Sequence, residues 1–285
     1  METQVYLMSL GGEGTKMIPA PVVRQRLSDG TFFGFIAAVL ALCSSTMAAV
    51  QTRQPKSAAT YRFVVDYYNF HANGTFVSKQ RIVGDYRRND DGTVEWSNVN
   101  IATASALGAP FGLGQQQTYM NAFRYRASGT LLFKPEFFKD FPATATQTKN
   151  LVWDTFMFET FAQQVAKLTE TPYRLPPSDV PLAGSGTFHN ANIELTRAGT
   201  VERDGQRLTV VHYDAFFNKL DHDLPGMKLV GRSDYWGDIW VLPATTTVER
   251  ATLSEEVIGE LNIGSQPNPQ IVNVVRRGSL ERTAQ

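Results

Sequence analysis

From Tyr61 onward the chain is written as short runs of aromatic and β-branched residues separated by turn-forming pairs, a pattern that admits sheets and little else. Tyr61–Phe70 (YRFVVDYYNF) runs into His71-Ala72-Asn73-Gly74. Asn-Gly between two such runs is a strong hairpin signal, because both residues accept positive φ. The partner strand is expected over Thr75–Tyr86, and Asp91-Gly92 introduces a third over Thr93–Ile101. Asn73-Gly74-Thr75 also spells a glycosylation sequon, but the turn accounts for it. Further strands are expected at Tyr125–Phe133, Gly186–Arg197, Arg207–Phe217, Trp236–Leu242, Thr245–Leu253 and Ile271–Gly278, with turn signals at Ala198-Gly199 and Asp204-Gly205. Strands that follow one another through short polar turns make an antiparallel meander, which curls into a barrel or half-barrel. No long internal period points to a solenoid or propeller.

One segment has a different rhythm. In Asn150–Leu168, the residues Trp153, Met157, Phe161, Val165 and Leu168 fall on one helical stripe, with Phe156 and Phe158 beside it. Glu159, Gln163, Gln164 and Lys167 sit largely away from that stripe. A helix here is expected to pack into the concave face of the curved sheet. Pro135–Phe141 suggests a second, short helix, and the proline-rich Thr171–Pro181 reads as a loop. The fold class is therefore mainly β: a curved antiparallel sheet, half-barrel or barrel-like, with one or two packing helices, as a single domain over residues 50–285. In shape this resembles exported half-barrel lipid carriers, whose curved sheet holds an apolar cavity covered by helices. The likeness is one of architecture; no specific family is matched over any long part of the chain.

The N-terminal segment sets the expected compartment. Phe32–Cys43 (FFGFIAAVLALC) is an uncharged run preceded by Arg24 and Arg26 and followed by Ser44, Ser45, Thr46, Ala48 and Ala49. A basic region, a short apolar region and a small-residue exit form the secretory-leader pattern. The run is shorter than the roughly 20 residues a helical membrane span needs. Cleavage after Ala48 places Thr46 at the −3 position, whereas cleavage after Ala49 places the less suitable Met47 there. The region upstream is long for a leader, and Met17 is a candidate start. Cys43 raises a lipid-anchor alternative, which Leu42 disfavours because lipoprotein signals want a small residue at that position. Residues 1–49 are thus expected to be leader and signal peptide, and the mature chain secreted or periplasmic with no stable membrane span. Cys43 is the one cysteine, so residues 50–285 contain no disulfide, thiolate nucleophile or thiolate metal ligand.

Lys+Arg and Asp+Glu both number 27, which argues against electrostatic capture of nucleic acid or an anionic surface. Gly108–Gly114 is glycine-rich but lacks the lysine and hydroxyl of a P-loop and the strand–helix setting of a dinucleotide site. Gly184-Ser185-Gly186 and Gly231-Arg232-Ser233-Asp234-Tyr235 both fall short of a nucleophile elbow. No zinc-protease or calcium-loop motif is present, and no cofactor is implied.

What remains is a polar and aromatic cluster in the C-terminal third. His212 and Asp214 are two apart on an expected strand and share a face. Asp221, His222 and Asp223 follow in an expected loop, then Asp234, Tyr235, Trp236 and Asp238. A histidine beside carboxylates supplies metal ligands, or a base with its orienting acid; equally it is a structural hydrogen bond. Within Gly231–Leu253, Trp236, Asp238 and Trp240 share one strand face, and Tyr235, Ile239 and Val241 the other. If the Trp face looks into the curve, two indoles line an apolar pocket or stack on a sugar; if it packs against the helix, they are only core. His71 and His189 read as a turn residue and a strand-surface residue.

Two functions are expected from this reading. The first is an exported binding protein for an apolar or amphipathic small molecule, with Trp153, Phe158, Tyr235, Trp236, Asp238 and Trp240 as ligand-binding candidates. The alternative is a secreted hydrolase or isomerase in which His212 acts with Asp214 or Asp223, with or without a metal.

Overall fold

The computed structural model describes residues 58–126, 132–264 and 268–283, so the expected leader lies outside the described residues. Thirteen strands join in one sheet. They are β1 (Ala59–His71), β2 (Phe76–Arg88), β3 (Thr93–Ala104), β4 (Gln115–Gln116), β5 (Arg124–Arg126), β6 (Tyr173–Leu175) and β7 (Ser178–Pro181). Then come β8 (Gly186–Asn190), β9 (Ile193–Arg203), β10 (Gln206–Leu224), β11 (Met227–Leu242), β12 (Thr247–Ile263) and β13 (Gln270–Thr283). The order along the sheet is β4-β3-β2-β1-β13-β12-β11-β10-β8-β7, with β5 on β3, and β9 on β10 carrying β6. Every pairing is antiparallel, and the two ends of this order do not meet, so the sheet is open.

The first hairpin shows how local chemistry fixes register. His71 and Gly74 donate to Thr75 and His71 carbonyls at 2.9 Å, and the Asn73 side chain accepts from the Thr75 N–H at 3.0 Å. Gly74 adopts φ 80°, where a Cβ would be strained. On β1 the alternate residues Tyr61, Phe63, Val65 and Tyr67 are buried, so one face of the strand makes core and the other meets solvent. Tyr61 stacks on Tyr86 of β2 at 4.6 Å, and Tyr86 packs on Trp96 of β3 at 5.1 Å.

The sheet curves around the helix α1 (Thr146–Ala162). Strands β1 and β10 are four steps apart, about 19 Å in a flat sheet. Yet the Phe158 ring lies 5.8 Å from Phe63 on β1 and 6.3 Å from Tyr213 on β10. Only a concave surface brings both to one side chain. The outer side of α1 is covered in turn by residues 132–141, where Phe138 packs on Trp153 at 5.4 Å and Phe133 on Phe156 at 6.1 Å.

The helix begins four residues earlier than the stripe predicts and ends at Ala162, with a 3-10 turn over Val165–Lys167. The physical reason is burial from two sides. Asp154, Phe158 and Phe161 meet the sheet while Trp153 and Phe156 meet the cover, so no single apolar stripe marks the inward face. Several strands also outrun their expected limits. Asp221-His222-Asp223 is not a loop but the end of β10, paired with Lys228–Val230, and the turn falls at Pro225-Gly226. Gly199 lies within β9, whereas Asp204-Gly205 forms the expected turn. Of the expected strand Tyr125–Phe133, β5 covers the start, residues 127–131 lie outside the described residues, and Leu132 and Phe133 are in a turn.

Candidate functional site

The register ranks the concave face in rows that cross the sheet. One row runs Tyr235 (β11), Glu255 (β12), Arg276 (β13), Tyr67 (β1) and Gln80 (β2), each the cross-strand partner of the next. The helix lays its polar residues on this row. Gln147 donates to Gln80 at 3.2 Å, Asn150 donates to the Tyr67 hydroxyl at 3.2 Å, and Asp154 pairs with Arg276. Arg276 also pairs with Glu255, which accepts from the Ser233 hydroxyl at 2.7 Å, and its guanidinium lies over the Tyr67 ring at 5.1 Å.

Asp154, Glu255 and Arg276 are all less than a tenth exposed, so two carboxylates share one guanidinium away from water. Burial pushes the Asp154 carboxyl up to about 6, with Glu255 adding to the rise and Arg276 pulling against it. Burial pulls the Arg276 guanidinium down, but the two acids and Tyr67 outweigh it and hold the group well above its ordinary value. Tyr67 is raised to about 12 by burial. No sequence motif singles out this triad. The available signal is phase: Glu255 sits between Leu253 and Val257, and Arg276 between Val274 and Gly278, both in step with inward positions.

Beyond that row, toward the β10–β11 turn, the concave face changes character. The next rows carry Asn218, Ser233, Val257 and Val274; then Phe188, Leu220, Gly231, Gly259 and Val272; then Gly186, His222, Leu229 and Leu261. Phe188, Leu220, Leu229, Leu261, Val272 and Val274 are half-buried. The hydrogen bonds and ring contacts of α1 to the sheet stop at the Tyr67–Arg276 row and do not reach these side chains. The facing Gly231 and Gly259 leave the strip without side chains at its centre. A Cβ on Gly231 would lie 2.4 Å from the Ile258 carbonyl oxygen, and one on Gly259 2.7 Å from that of Val230. Close strand approach therefore demands glycine at both positions and keeps the floor bare, with the Leu229 side chain leaning over Gly259.

The sequence candidates divide between the two faces of the sheet. Tyr235 faces inward, donates to Asn190 at 3.0 Å, and has its phenol raised by burial. Phe158 is fully buried against Phe63 and Tyr213, and Trp153 is half-buried under the cover, donating to the Leu132 carbonyl at 3.2 Å. Trp236, Asp238 and Trp240 lie on the convex face with His212 and Asp214, because Asp214 pairs across with Trp236, His212 with Asp238 and Val210 with Trp240. These two groups cannot line one cavity.

On the convex face, His212 Nδ1 lies 2.9 Å from Asp238 Oδ1, and both side chains are 40% exposed. Asp214 is raised by partial burial and by Glu194, with His212 opposing. The guanidinium of Arg250 stacks on Trp240 at 4.9 Å, and Trp236 packs on the exposed Phe216 at 6.2 Å. Asp223 is eleven residues further along β10, about 35 Å of strand from His212, so it does not serve that imidazole. It lines instead an open, polar cleft of about 520 Å³ with Gly186, Thr187, Asp221 and Lys228, where Lys228 pairs with Asp221 at 3.3 Å. Among the described residues no group of three or more His, Cys, Asp or Glu side chains is placed to hold a metal ion. No described helix is long and apolar enough to cross a membrane.

No family model and no curated protein matches the chain. Among solved structures, one of lipovitellin concerned with lipid–protein interactions aligns over 81% of this chain at 13% identity and a TM-score of 0.41. The chain spans 25% of the length of that protein. A DUF1329 family protein from Desulfovibrio piger aligns over 85% of this chain and 90% of its own at 9% identity and a TM-score of 0.16. These likenesses are too distant to assign a family or a ligand.

Proposed function

We propose that the protein binds an apolar or amphipathic small molecule on the concave face of its sheet, in the strip between the Tyr67–Arg276 row and the β10–β11 turn. The observation that carries this is the strip itself: half-buried inward apolar side chains, a glycine floor at the centre, and, among the described residues, no hydrogen bond or ring contact from α1. Side chains of a one-sided sheet that face the core are normally covered by a packing layer. From β8 to β13 the strip crosses four strand spacings, about 19 Å, which suits an elongated ligand. Each methylene buried there contributes about 0.8 kcal/mol, so affinity should climb with chain length until the strip is filled.

The test is displacement of Nile red from the full-length protein by a series of straight-chain amphiphiles, alongside native mass spectrometry of the purified protein. Affinity that rises with chain length, and falls at least tenfold in a Leu220→Asp/Leu229→Asp variant, supports the site. Absence of dye binding and of any co-purified lipid-like mass removes it. Export to a periplasm or to the medium completes the proposal, supported by the Phe32–Ala49 pattern. N-terminal sequencing of the exported protein tests it; a start at Ala49 or Val50 is expected, and a retained leader refutes it.

A second reading, hydrolysis or isomerisation at His212, is favoured by one contact, the His212–Asp238 hydrogen bond that would orient a base. Retention of any discovered activity in His212→Ala and Asp238→Ala removes it.

A further inference from the structure

We infer that the convex face carries a second surface, separate from the concave strip, by which the protein rests on a zwitterionic lipid layer through Phe216, Phe217 and Trp236. The β10–β11 ladder is interrupted there: Ala215 pairs with Tyr235 and Asn218 with Ser233, so Phe216 and Phe217 together face the single residue Asp234. Without the extra residue one of the two rings would point into the core; the bulge turns both outward. Phe216 packs on Trp236 at 6.2 Å, and Phe217 lies under the Arg232 guanidinium at 5.5 Å, both outward neighbours. Phe217 is 70% exposed and holds φ at 63°, a left-handed conformation that strains a bulky residue. Asp234 fixes it there by accepting from the Phe217 N–H at 2.6 Å. Backbone strain that displays an apolar ring to water is the reverse of what stability alone would select.

The surroundings point to the partner. Farther along the same face the outward side chains form ion pairs: Arg81 with Asp66 at 2.7 Å, Arg62 with Asp85 at 3.4 Å and Arg250 with Glu281 at 3.5 Å. Around the bulge the outward face instead exposes Val230 and Ile258. Cations here are already matched, Arg232 by Asp234 at 2.9 Å and Lys228 by Asp221 at 3.3 Å. Glu256 and Glu260 also face outward on β12, so the patch has no cationic surplus. It complements a layer whose head-group charges are paired, and not an anionic one. A second copy fits poorly, because two convex faces touch only at their crowns and bury little of the roughly 1,200 Å² that a stable interface needs. A fluid layer deforms around the crown, admits the two rings between its head groups, and meets Trp236 at the depth indoles favour.

The full-length protein is titrated with phosphatidylcholine vesicles whose acyl chains are brominated, and the quenching of tryptophan fluorescence is read. The apolar run Phe32–Cys43 has its own affinity for lipid, so the signal local to the bulge decides. Quenching is expected in the wild type and should fall by about half in Trp236→Phe. Phe216→Ser/Phe217→Ser should weaken the titration about tenfold. Phe217→Gly releases the left-handed strain, so it should keep or raise the melting temperature while weakening the titration. A lowered melting temperature in that variant would make the ring a packing element and overturn the inference. Absence of quenching in the wild type overturns it, as does quenching that the double serine variant retains. Quenching that requires phosphatidylglycerol and disappears in about 0.5 M sodium chloride overturns the zwitterionic assignment. A dimer in sedimentation velocity that the double serine variant dissolves gives the rings to a second copy instead.

Discussion

Replacing Asp154 by asparagine should change how stability depends on pH more than it changes stability itself. In the folded protein the Asp154 carboxyl is pushed up to about 6 from an ordinary 3.8, so the native state holds its proton more tightly than the unfolded chain. Below 3.8 both states are protonated and the group costs nothing. As pH rises through about 6 the native state must ionise a buried carboxyl beside Glu255, and stability is lost. The gap between the two values corresponds to about 3 kcal/mol, of which about 2 kcal/mol falls between pH 4.5 and 7.5. The asparagine side chain keeps the shape, does not titrate, and leaves Arg276 paired with Glu255. Urea unfolding followed by tryptophan fluorescence at pH 4.5 and 7.5 measures the difference between wild type and Asp154→Asn at each pH. That difference should move by about 2 kcal/mol in favour of the variant at the higher pH, or about 1 M in urea midpoint. Taking the difference cancels the other carboxylates, which titrate in both proteins. A shift below about 0.5 kcal/mol would show that Asp154 does not hold its proton in this range. Arg276→Met supplies the contrast: it leaves two buried carboxylates without a cation and should cost about 3–5 kcal/mol at pH 7.5.

Three other substitutions test the packing. Phe158→Ala removes a fully buried ring that touches both Phe63 and Tyr213, and should cost about 3–5 kcal/mol in urea unfolding. Gly231→Ala places a Cβ 2.4 Å from the Ile258 carbonyl oxygen; a loss of about 1–3 kcal/mol is expected in the same assay, and an unchanged midpoint would show that the strands are not so close. Trp236→Ala, at a side chain 38% exposed on the convex face, should lower stability by no more than about 1 kcal/mol, and a larger loss would mean the indole is core.

Most of the sheet is legible in the sequence because it is one-sided. In β1 the inward residues Tyr61, Phe63, Val65 and Tyr67 alternate with Arg62, Val64 and Asp66, and Asn73-Gly74 closes the hairpin as its chemistry requires. Legibility fails where a polar triplet continues a strand. Asp221-His222-Asp223 has the composition of a turn, but its backbone pairs with β11, and only the middle residue turns inward. The helix is legible as a helix and illegible in its limits, because a rod buried between a sheet and a cover has no solvent side to mark its phase. The two faces of β11 are visible in the alternation, but alternation alone does not say which face is concave. Contacts from α1 decide it, and those are set by residues far away in the chain.

The buried triad and the apolar strip lie in adjacent rows, and the order of those rows has a physical consequence. Hydrophobic contacts such as Phe158 with Phe63 and Tyr213 tolerate small slides of a helix along a sheet, since the area buried changes little. The bond of Asp154 to Arg276 does not: moved by a turn, the helix leaves the Asp154 carboxylate without its guanidinium in a dry interior, while Arg276 keeps only Glu255. Gln147 on Gln80 and Asn150 on Tyr67 repeat the constraint toward the N-terminus of the helix. The polar row thus fixes where α1 ends its contact with the sheet, and so where the uncovered strip begins. In Arg276→Met this constraint is weakened while the aromatic contacts remain. The variant should therefore show a change in Nile red binding as well as a lower midpoint, whereas Phe158→Ala, which keeps the polar row, should lower the midpoint alone.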